Sequence, residues 1–535
     1  MMEMLKYIRY FFIYYIRCFK IYSLNISKYQ LMKKFPWSIS IIIFSFFLNS
    51  NFTEAQTVTI DFSNEKQFIR GFGGMNMPDW IGDLTPDQVD KAFGNQPGQI
   101  GFSILRVKVP NSTSLFNIQV PAAVRAKSHG AIVMASPWSP PPAMKTNNSI
   151  VGGCLEVSSY GDFADYLNSF ADYMSSSGAS LYAISLQNEP DVTVSYESCD
   201  WTPEEMINFL INHGPEFDSV KLIVAESFNF SRSQTDPILN NAEAESQVNI
   251  IGGHIYGGGL YDYPLARSKG KEVWMTEHLD TDTSWSAVLQ TGKEIHDCMV
   301  ANFNAYLWWY IRRFYGPIDE SGNISKRGYV MSHYAKFIRP GFTRVNATTS
   351  SVPRIYVTAY KNDTSVVIVA VNRNSSSSNL EFSLQNDTVD SFTKYTTSAS
   401  KNMNNDGMIT VSEGSFSTVL DAQSITTFTT YTGNAGDIAN ITPIADKVFM
   451  TRLSGNYPNP VVNLTTIEFT LGKSEYVNLA VMDITGRIIL TLVNGMRQAG
   501  KHEVVFNGSK LGNGVYFYRL RAGEYSRTMS MIICR

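Results

Sequence analysis

Two glutamates are distinguished by what precedes them. Glu189 sits in "ISLQNEPDV", where Asn188, Glu189 and Pro190 follow an apolar run, and Glu277 closes a second such run in "EVWMTEH". A single glutamate after a strand is ordinarily a solvated loop charge. Two of them at the ends of two buried strands are the pair that glycosidic cleavage needs, one carboxyl protonating the leaving oxygen while the other meets the developing oxocarbenium charge. Arg106 in "SILRV" and Tyr256 in "GGHIY" end two further apolar runs, where each can hydrogen-bond a carboxylate and keep it ionised. Trp138 in "SPWSPP" offers a flat face to a sugar ring. No Cys/His cluster has metal-ligand spacing, and no Gly-rich loop has the strand-to-helix context that phosphate requires, so no metal and no cofactor is expected.

These residues need a scaffold that brings strand ends together. The apolar runs "FSILRVKV" (102–109), "GAIVMASP" (130–137), "LYAISLQN" (181–188), "VKLIVAES" (220–227), "VNIIGGHIY" (248–256), "KEVWMTE" (271–277) and "NAYLWWY" (304–310) alternate with segments of helical period. One such segment is "YGDFADYLNSFADYMSSSG", with apolar residues three and four apart and a closing glycine. With "RGFGGMN" (70–76) as the first, the strands number eight, the count of a (β/α)8 TIM barrel, whose functional side chains gather at the C-terminal strand ends. A doubly wound open sheet is the competing α/β fold, but it would not place reactive residues after nearly every strand.

The barrel is expected over 71–340. Over 341–432 the pattern changes to short alternating strands with polar turns, a β-sandwich side domain. The opening strand, 57–70, has the same period and is expected to pair with it. Residues 433–448 read as a linker and 449–535 as a small C-terminal β-sandwich. Residues 1–56 read as an N-terminal extension plus a secretory signal: "MKKFPWSISIIIFSFFLNSNFTEAQ" has a basic start, an apolar core and a small residue before Gln56, which makes Met32 the expected start. The stretch upstream carries charges every few residues and makes a poor membrane span.

With 44 lysines and arginines against 47 aspartates and glutamates, the net charge of −3 supplies no field for gathering nucleic acid or coating a membrane. Of the five cysteines, Cys154 and Cys199 fall in loops on one side of the expected barrel, so their pairing is an open alternative.

The segments "LQNEPDVTVSYESCDWTPEEM", "EVWMTEH" and "WWYIRRFYGP" resemble glycoside hydrolase family 30, over roughly residues 57–432. The resemblance implies a retaining glycosidase with Glu189 as acid/base, Glu277 as nucleophile and Asn188 on the 2-hydroxyl of the sugar. The segment after the eighth strand looks like that of bacterial glucuronoxylanases, which grip the 4-O-methylglucuronic acid branch of xylan. Carried over by position, Arg313 pairs with the uronate, flanked by Trp309 and Tyr315, while Arg312 is structural; an arginine fork matches a carboxylate in two parallel bonds. The chain departs from that pattern after Glu277, where Leu279 replaces a tyrosine and Thr281 stands near the place of a serine.

The end of the chain, "NYPNPVVNLTTIEFTL" to "LGNGVYFYRLRAGEYSRTMSMI", resembles the sorting domain of the type IX secretion route of Bacteroidetes. Together these imply a secreted or cell-surface endo-β-1,4-xylanase, acting as a monomer, with xylan and the type IX machinery as partners. Other activities of the same family (β-1,6-glucanase or a β-xylosidase-like exo-enzyme) and a non-catalytic sugar-binding protein remain as alternatives.

Overall fold

The computed structural model describes residues 56–349, 352–430, 451–472, 475–497, 500–523 and 525–534. The expected signal segment with its Met32 start and the expected linker lie outside them. Eight parallel strands, β2 (Gly71–Met75), β3 (Ile104–Val109), β4 (Ile132–Pro137), β5 (Ala183–Ser185), β6 (Lys221–Ser227), β7 (Ile250–His254), β8 (Glu272–Glu277) and β9 (Ala305–Tyr310), close into a barrel. The TIM fold implied by the alternating pattern is the fold observed.

Inside the barrel, Ile104, Met134, Ala183, Ile223, Ile250, Trp274, Ala305 and Leu307 pack into a plug. Because successive strand residues point to opposite faces, their neighbours Leu105, Val133, Ile184, Leu222, Ile251 and Val273 face outward into the helix-covered core. The helix Tyr160–Ser176 shows why its sequence folds so: Phe163, Leu167, Phe170 and Met174 recur at three- and four-residue spacing and are all buried. The helix Pro203–His213 starts on a complete capping box between Thr202 and Glu205, which ends the loop that carries Glu189.

The first strand, β1 (Gln56–Phe68), does not join the barrel. It lies between β10 (Thr343–Thr349) and β13 (Ser378–Gln385) in a nine-stranded sheet with β11 (Ile355–Lys361), β12 (Val366–Asn372), β14 (Ser391–Thr397), β15 (Asn404–Thr410), β16 (Ser415–Leu420) and β17 (Ser424–Thr429). The sheet folds over on itself: Phe382 of β13 and Phe428 of β17, five strands apart in the hydrogen-bonded order, have ring centroids 5.3 Å apart. Every residue of β12 is buried. Val366, Ile368 and Ala370 face this inner core, whereas Val367, Val369 and Val371 face the barrel's helices.

Two further sheets, β18 (Arg452–Tyr457), β19 (Leu464–Leu471) and β22 (Gly500–Asn507) with β21 (Ile488–Arg497), β20 (Glu475–Met482), β23 (Gly514–Ala522) and β24 (Tyr525–Ile533), enclose their own core around Phe469, Leu479 and Tyr518. Cys154 and Cys199 are free thiols, as are Cys298 and Cys534, so the alternative of a Cys154–Cys199 bridge is not realised in this structure. No helix among the described residues is long and apolar enough to cross a membrane.

His333, on the helix Lys326–Ala335, joins barrel to side domain. Its Nδ1 lies 2.8 Å from the Thr427 hydroxyl and its Nε2 2.8 Å from that of Thr397. Burial without an acidic partner lowers its pKa to about 3. The unfolded chain takes up a proton near pH 6.5 that the folded chain refuses, so stability is complete above 6.5 and falls as the pH drops toward 3. By pH 5 the loss is about 2 kcal/mol. His333→Gln, which keeps polar contacts but cannot titrate, should lose less Tm between pH 7 and pH 5 than the parent in a thermal melt; equal losses would remove His333 as the cause.

Candidate active site

Alternation and its local failure together build the site. Along β3 the inward positions run Ile104, Arg106 and Lys108, so the strand passes from plug to site to rim. Along β7 the same step of two gives Ile250, Gly252 and His254, continued by Tyr256. Two carboxylates need an extra residue. Pairing between β6 and β7 slips between Ala225 and Ser227, and pairing between β7 and β8 slips just before Glu277. These bulges turn Glu226 and Glu277 toward the barrel axis. Glu226 takes φ 48° and Glu189 φ 46°, backbone that costs roughly 1 to 3 kcal/mol outside glycine and recurs where a site over-determines it. A Cβ on Gly252 would come within 3.1 Å of Glu226 Cγ and 2.8 Å of Ile223, so a glycine lets that carboxylate in.

Glu277 is held from two sides. Arg106 Nη1 donates to its Oε2 at 2.5 Å and the Tyr256 hydroxyl donates to its Oε1 at 2.8 Å. Arg106 is fully buried, and its other nitrogen, Nη2, donates to Asn188 Oδ1 at 2.6 Å and to Glu226 Oε1 at 3.1 Å. Burial opposes its charge, but Glu226 and Glu277 outweigh burial and raise its pKa further. Glu189 has His254 Nδ1 2.8 Å from Oε1 and the Tyr196 hydroxyl 3.4 Å from Oε2.

His254 is buried and faces carboxylates on both sides: its Nε2 is 3.8 Å from Glu277 Oε2 and 4.0 Å from Glu226 Oε1. Burial alone would lower its pKa; Glu277, Glu189 and Glu226 overcome burial and raise it to about 9. For Glu226 burial would raise the pKa, but Arg106 and then His254 overcome it and hold the carboxyl at about 2. One ligand atom each from Glu189, His254 and Glu277 lies within 4.8 Å of the others. That spacing would admit a cation, but protein donors already occupy both oxygens of Glu277 and flank those of Glu189, an arrangement for moving protons.

The carboxylates open into a cleft of about 240 Å³ lined also by Trp80, Trp138, Tyr196, Phe228, Tyr256, Leu279 and Trp309. Trp138 and Trp309 pack at 5.7 Å, and the Arg106 guanidinium lies 4.8 Å over the Trp138 ring. Trp80, 37% exposed, meets Trp138 and Tyr196 edge-on. Lys108 pins this wall from behind, its ammonium 2.5 Å from Asp79 and 2.6 Å from Glu197, which joins the short helix Pro78–Ile81 that bears Trp80 to the loop that bears Tyr196.

Arg106, Asn188, Glu189, Tyr256, Glu277, Trp138 and Trp309 thus converge. Arg313, Tyr315 and Thr281 are not among the cleft-lining residues. Arg313 is 41% exposed and pairs with Glu320 at 3.2 Å, Tyr315 is buried, and Thr281 is exposed where the loop turns Leu279 inward instead. Arg312 donates to the carbonyls of Ile81 and Gly82. Sequence reasoning overlooked Trp80, Tyr196, Phe228, Glu226 and His254. The strand-end rule that selects Glu189 and Glu277 also selects Glu226 in "VAES", and a step of two from Tyr256 reaches His254.

Residues 102–276 match the model of the glycosyl hydrolase family 30 TIM-barrel domain, and residues 456–534 match that of the secretion system C-terminal sorting domain. Over 389 residues the chain is 43% identical to Glucuronoxylanase XynC of Bacillus subtilis (strain 168), covering 70% of this chain and 92% of that protein. The solved structure of the glycoside hydrolase family 30 subfamily 8 xylanase Xyn30A from Clostridium acetobutylicum is 39% identical, with a TM-score of 0.66 over 70% of this chain and 99% of that one. A GH30 endoxylanase from Clostridium papyrosolvens C71 gives 38% identity and a TM-score of 0.65, again over 70% of this chain and 99% of the other. On the identity and near-complete coverage of these relatives, joined to the closed barrel and its paired carboxylates, the chain belongs to glycoside hydrolase family 30.

Proposed function

We propose that the protein is a secreted, retaining endo-β-1,4-xylanase acting on glucuronoxylan, with Glu277 as nucleophile and Glu189 as general acid and base. The observation that carries the reaction type is the approach of the two carboxylates, one oxygen of each within 4.8 Å. Retaining pairs stand about 5 to 5.5 Å apart, whereas inverting pairs leave roughly 6.5 to 9.5 Å for a water. The two donors on Glu277 suit a group that must stay ionised and accessible to the anomeric carbon. With Asn188 Oδ1 engaged by Arg106, its amide nitrogen is the group left for the sugar's 2-hydroxyl. Trp80, the exposed member of the aromatic wall, offers its ring to a sugar, while Trp138 and Trp309, almost wholly buried beneath Arg106 and each other, back that wall instead of presenting open faces.

The xylan reading rests on the 43% identical glucuronoxylanase, and export rests on the C-terminal sorting domain. Recognition of the glucuronate branch is assigned to Arg313, which would exchange Glu320 for the uronate, with Tyr315 supporting it from below and Thr281 at the rim. That ion pair is largely solvated, so its rupture costs little. Leu279 in the cleft wall loosens this grip, because it offers no hydroxyl to the branch.

Glu277→Gln should abolish turnover with an unchanged melting curve, since the amide cannot form the glycosyl ester. Glu189→Ala should slow cleavage of poor leaving groups by about 10²- to 10⁴-fold and recover with added azide. NMR of the first anomer released decides retention, and early appearance of the inverted anomer would overturn the mechanism.

Arg313→Ala separates specificity from chemistry. On branched xylan kcat/KM should fall about tenfold or more, roughly 1.4 kcal/mol, with little change on linear xylo-oligosaccharides. Equal losses on both substrates would reduce Arg313 to a scaffold residue and leave a less selective family 30 glycosidase.

A further inference from the structure

The proposed reaction uses two glutamates, yet a third lies in the same cluster, fully buried, its Oε2 without a hydrogen-bond partner among the described residues. Glu226 is joined to the acid/base in two ways. Its carbonyl accepts the backbone N–H of Glu189 at 3.0 Å, and its carboxylate faces His254, whose other nitrogen touches Glu189. The groups facing His254 are Glu189 beyond β5, Glu226 near the end of β6, Glu277 at the end of β8 and Tyr256 just past the end of its own strand, and Arg106 of β3 pairs with both Glu226 and Glu277.

We propose that Glu226 is a positioning residue of the reaction: with Glu277 it keeps both nitrogens of His254 protonated, so that Nδ1 donates to Glu189 Oε1 and confines the transferable proton to Oε2. This inference rests on the retaining mechanism proposed above. A neutral imidazole has one protonated nitrogen and one bare one. If Nδ1 were bare it would accept from Glu189 and draw the acid proton onto Oε1, the oxygen beside His254, instead of Oε2, the oxygen beside Tyr196. A doubly protonated ring closes that alternative.

The charges also balance. Arg106 and His254 carry two positive charges, and Glu226 and Glu277 carry two negative ones, so the cluster is neutral when Glu189 holds its proton. In the first step Glu277 bonds to the anomeric carbon as the glycosidic C–O bond breaks, and the proton passes from Oε2 to the departing oxygen, so the leaving sugar is released as its alcohol. Glu277 is then an ester without charge, while Glu189 has become a carboxylate on the Nδ1 side. Glu226 is then the ionised carboxylate remaining opposite Nε2. In the second step water attacks the anomeric carbon, its proton goes to Oε2, and Glu277 is released ionised.

The test compares Glu226→Gln and Glu226→Asp. Removing the negative charge makes the protonated set less favourable, so the alkaline limb of kcat/KM against pH should fall by about one pH unit in Glu226→Gln. Glu226→Asp, which keeps the charge, should hold the limb close to its parent position. A Glu226→Gln profile reduced in height with its alkaline limb in place would overturn the proposal. Should that variant fail to fold, the parent decides: with ¹⁵N-labelled histidine, and His254 assigned by its loss in His254→Gln, both ring nitrogens should show imidazolium shifts at pH 7. A neutral ring there overturns the proposal. The anomer released reports on retention separately, so failure of the mechanism and failure of the Glu226 role remain distinguishable.

Discussion

A guanidinium with no access to water organises this protein's site. Arg106 would be ruinously placed alone, since an unpaired buried charge costs several kcal/mol even after relaxation. It is tolerable because Glu277, Glu226 and Asn188 converge on its nitrogens and Ser136 Oγ accepts from Nε at 3.2 Å. Those partners come from four other strands or strand ends, so satisfying one side chain fixes the relative register of most of the barrel mouth. The same geometry serves chemistry, because a carboxylate pinned by a buried cation stays ionised and oriented without reorganisation as charge develops.

Meeting that demand requires departures from ideal strands. Period-two alternation delivers Arg106, His254 and Tyr256, but it would leave Glu226 and Glu277 pointing into the helices. The bulges beside them reverse that, and Gly252 supplies the space. Left-handed backbone at Glu189 and Glu226 is the local cost, offset by the surrounding hydrogen bonds. Lys108 repeats the logic one step higher on β3, where a buried ammonium draws Asp79 and Glu197 together and so sets the aromatic wall.

How much of this the sequence revealed follows from which features are local. The barrel was legible because eight apolar runs alternate with helical periods, and the pairing of the opening strand with the later β-module because alternation persists in both. Glu189 and Glu277 stand out in the sequence because each ends such a run in unusual company. Glu226 and His254 are passed over although "VAES" meets the strand-end rule and Tyr256 of "GGHIY" is singled out, because neither has distinctive company in the chain and the bulge that turns Glu226 inward is a property of two strands. Trp80 and Tyr196 escaped for a related reason: they sit in a short helix and a loop after the strand ends whose placement depends on Lys108, and nothing local marks a lysine as buried. Arg313 shows the converse, since a motif can identify a residue while its partner, here Glu320, is set by the loop that follows.

The side domain belongs to the same argument. A closed barrel must join its first strand to its last, and here both ends of the chain segment are tied off by the nine-stranded sheet. Ile69 donates its N–H to the Phe342 carbonyl at 2.7 Å, where the chain enters and leaves the barrel, and Arg70 donates to the Asn304 carbonyl at 2.7 Å just before β9. The Arg70 guanidinium then pairs with Glu272 at the start of β8. These contacts lie at the strand starts, opposite the carboxylates, yet they hold β2 against β9, and β9 carries Trp309 into the cleft. Further out, β12 is buried on both faces and His333 bridges to β14 and β17, so the sheet cannot shift without disturbing the helices around the barrel. Trp309 packs on Trp138, and Trp138 lies under Arg106, so closure at one end of the barrel is coupled through packed side chains to the cation at the other.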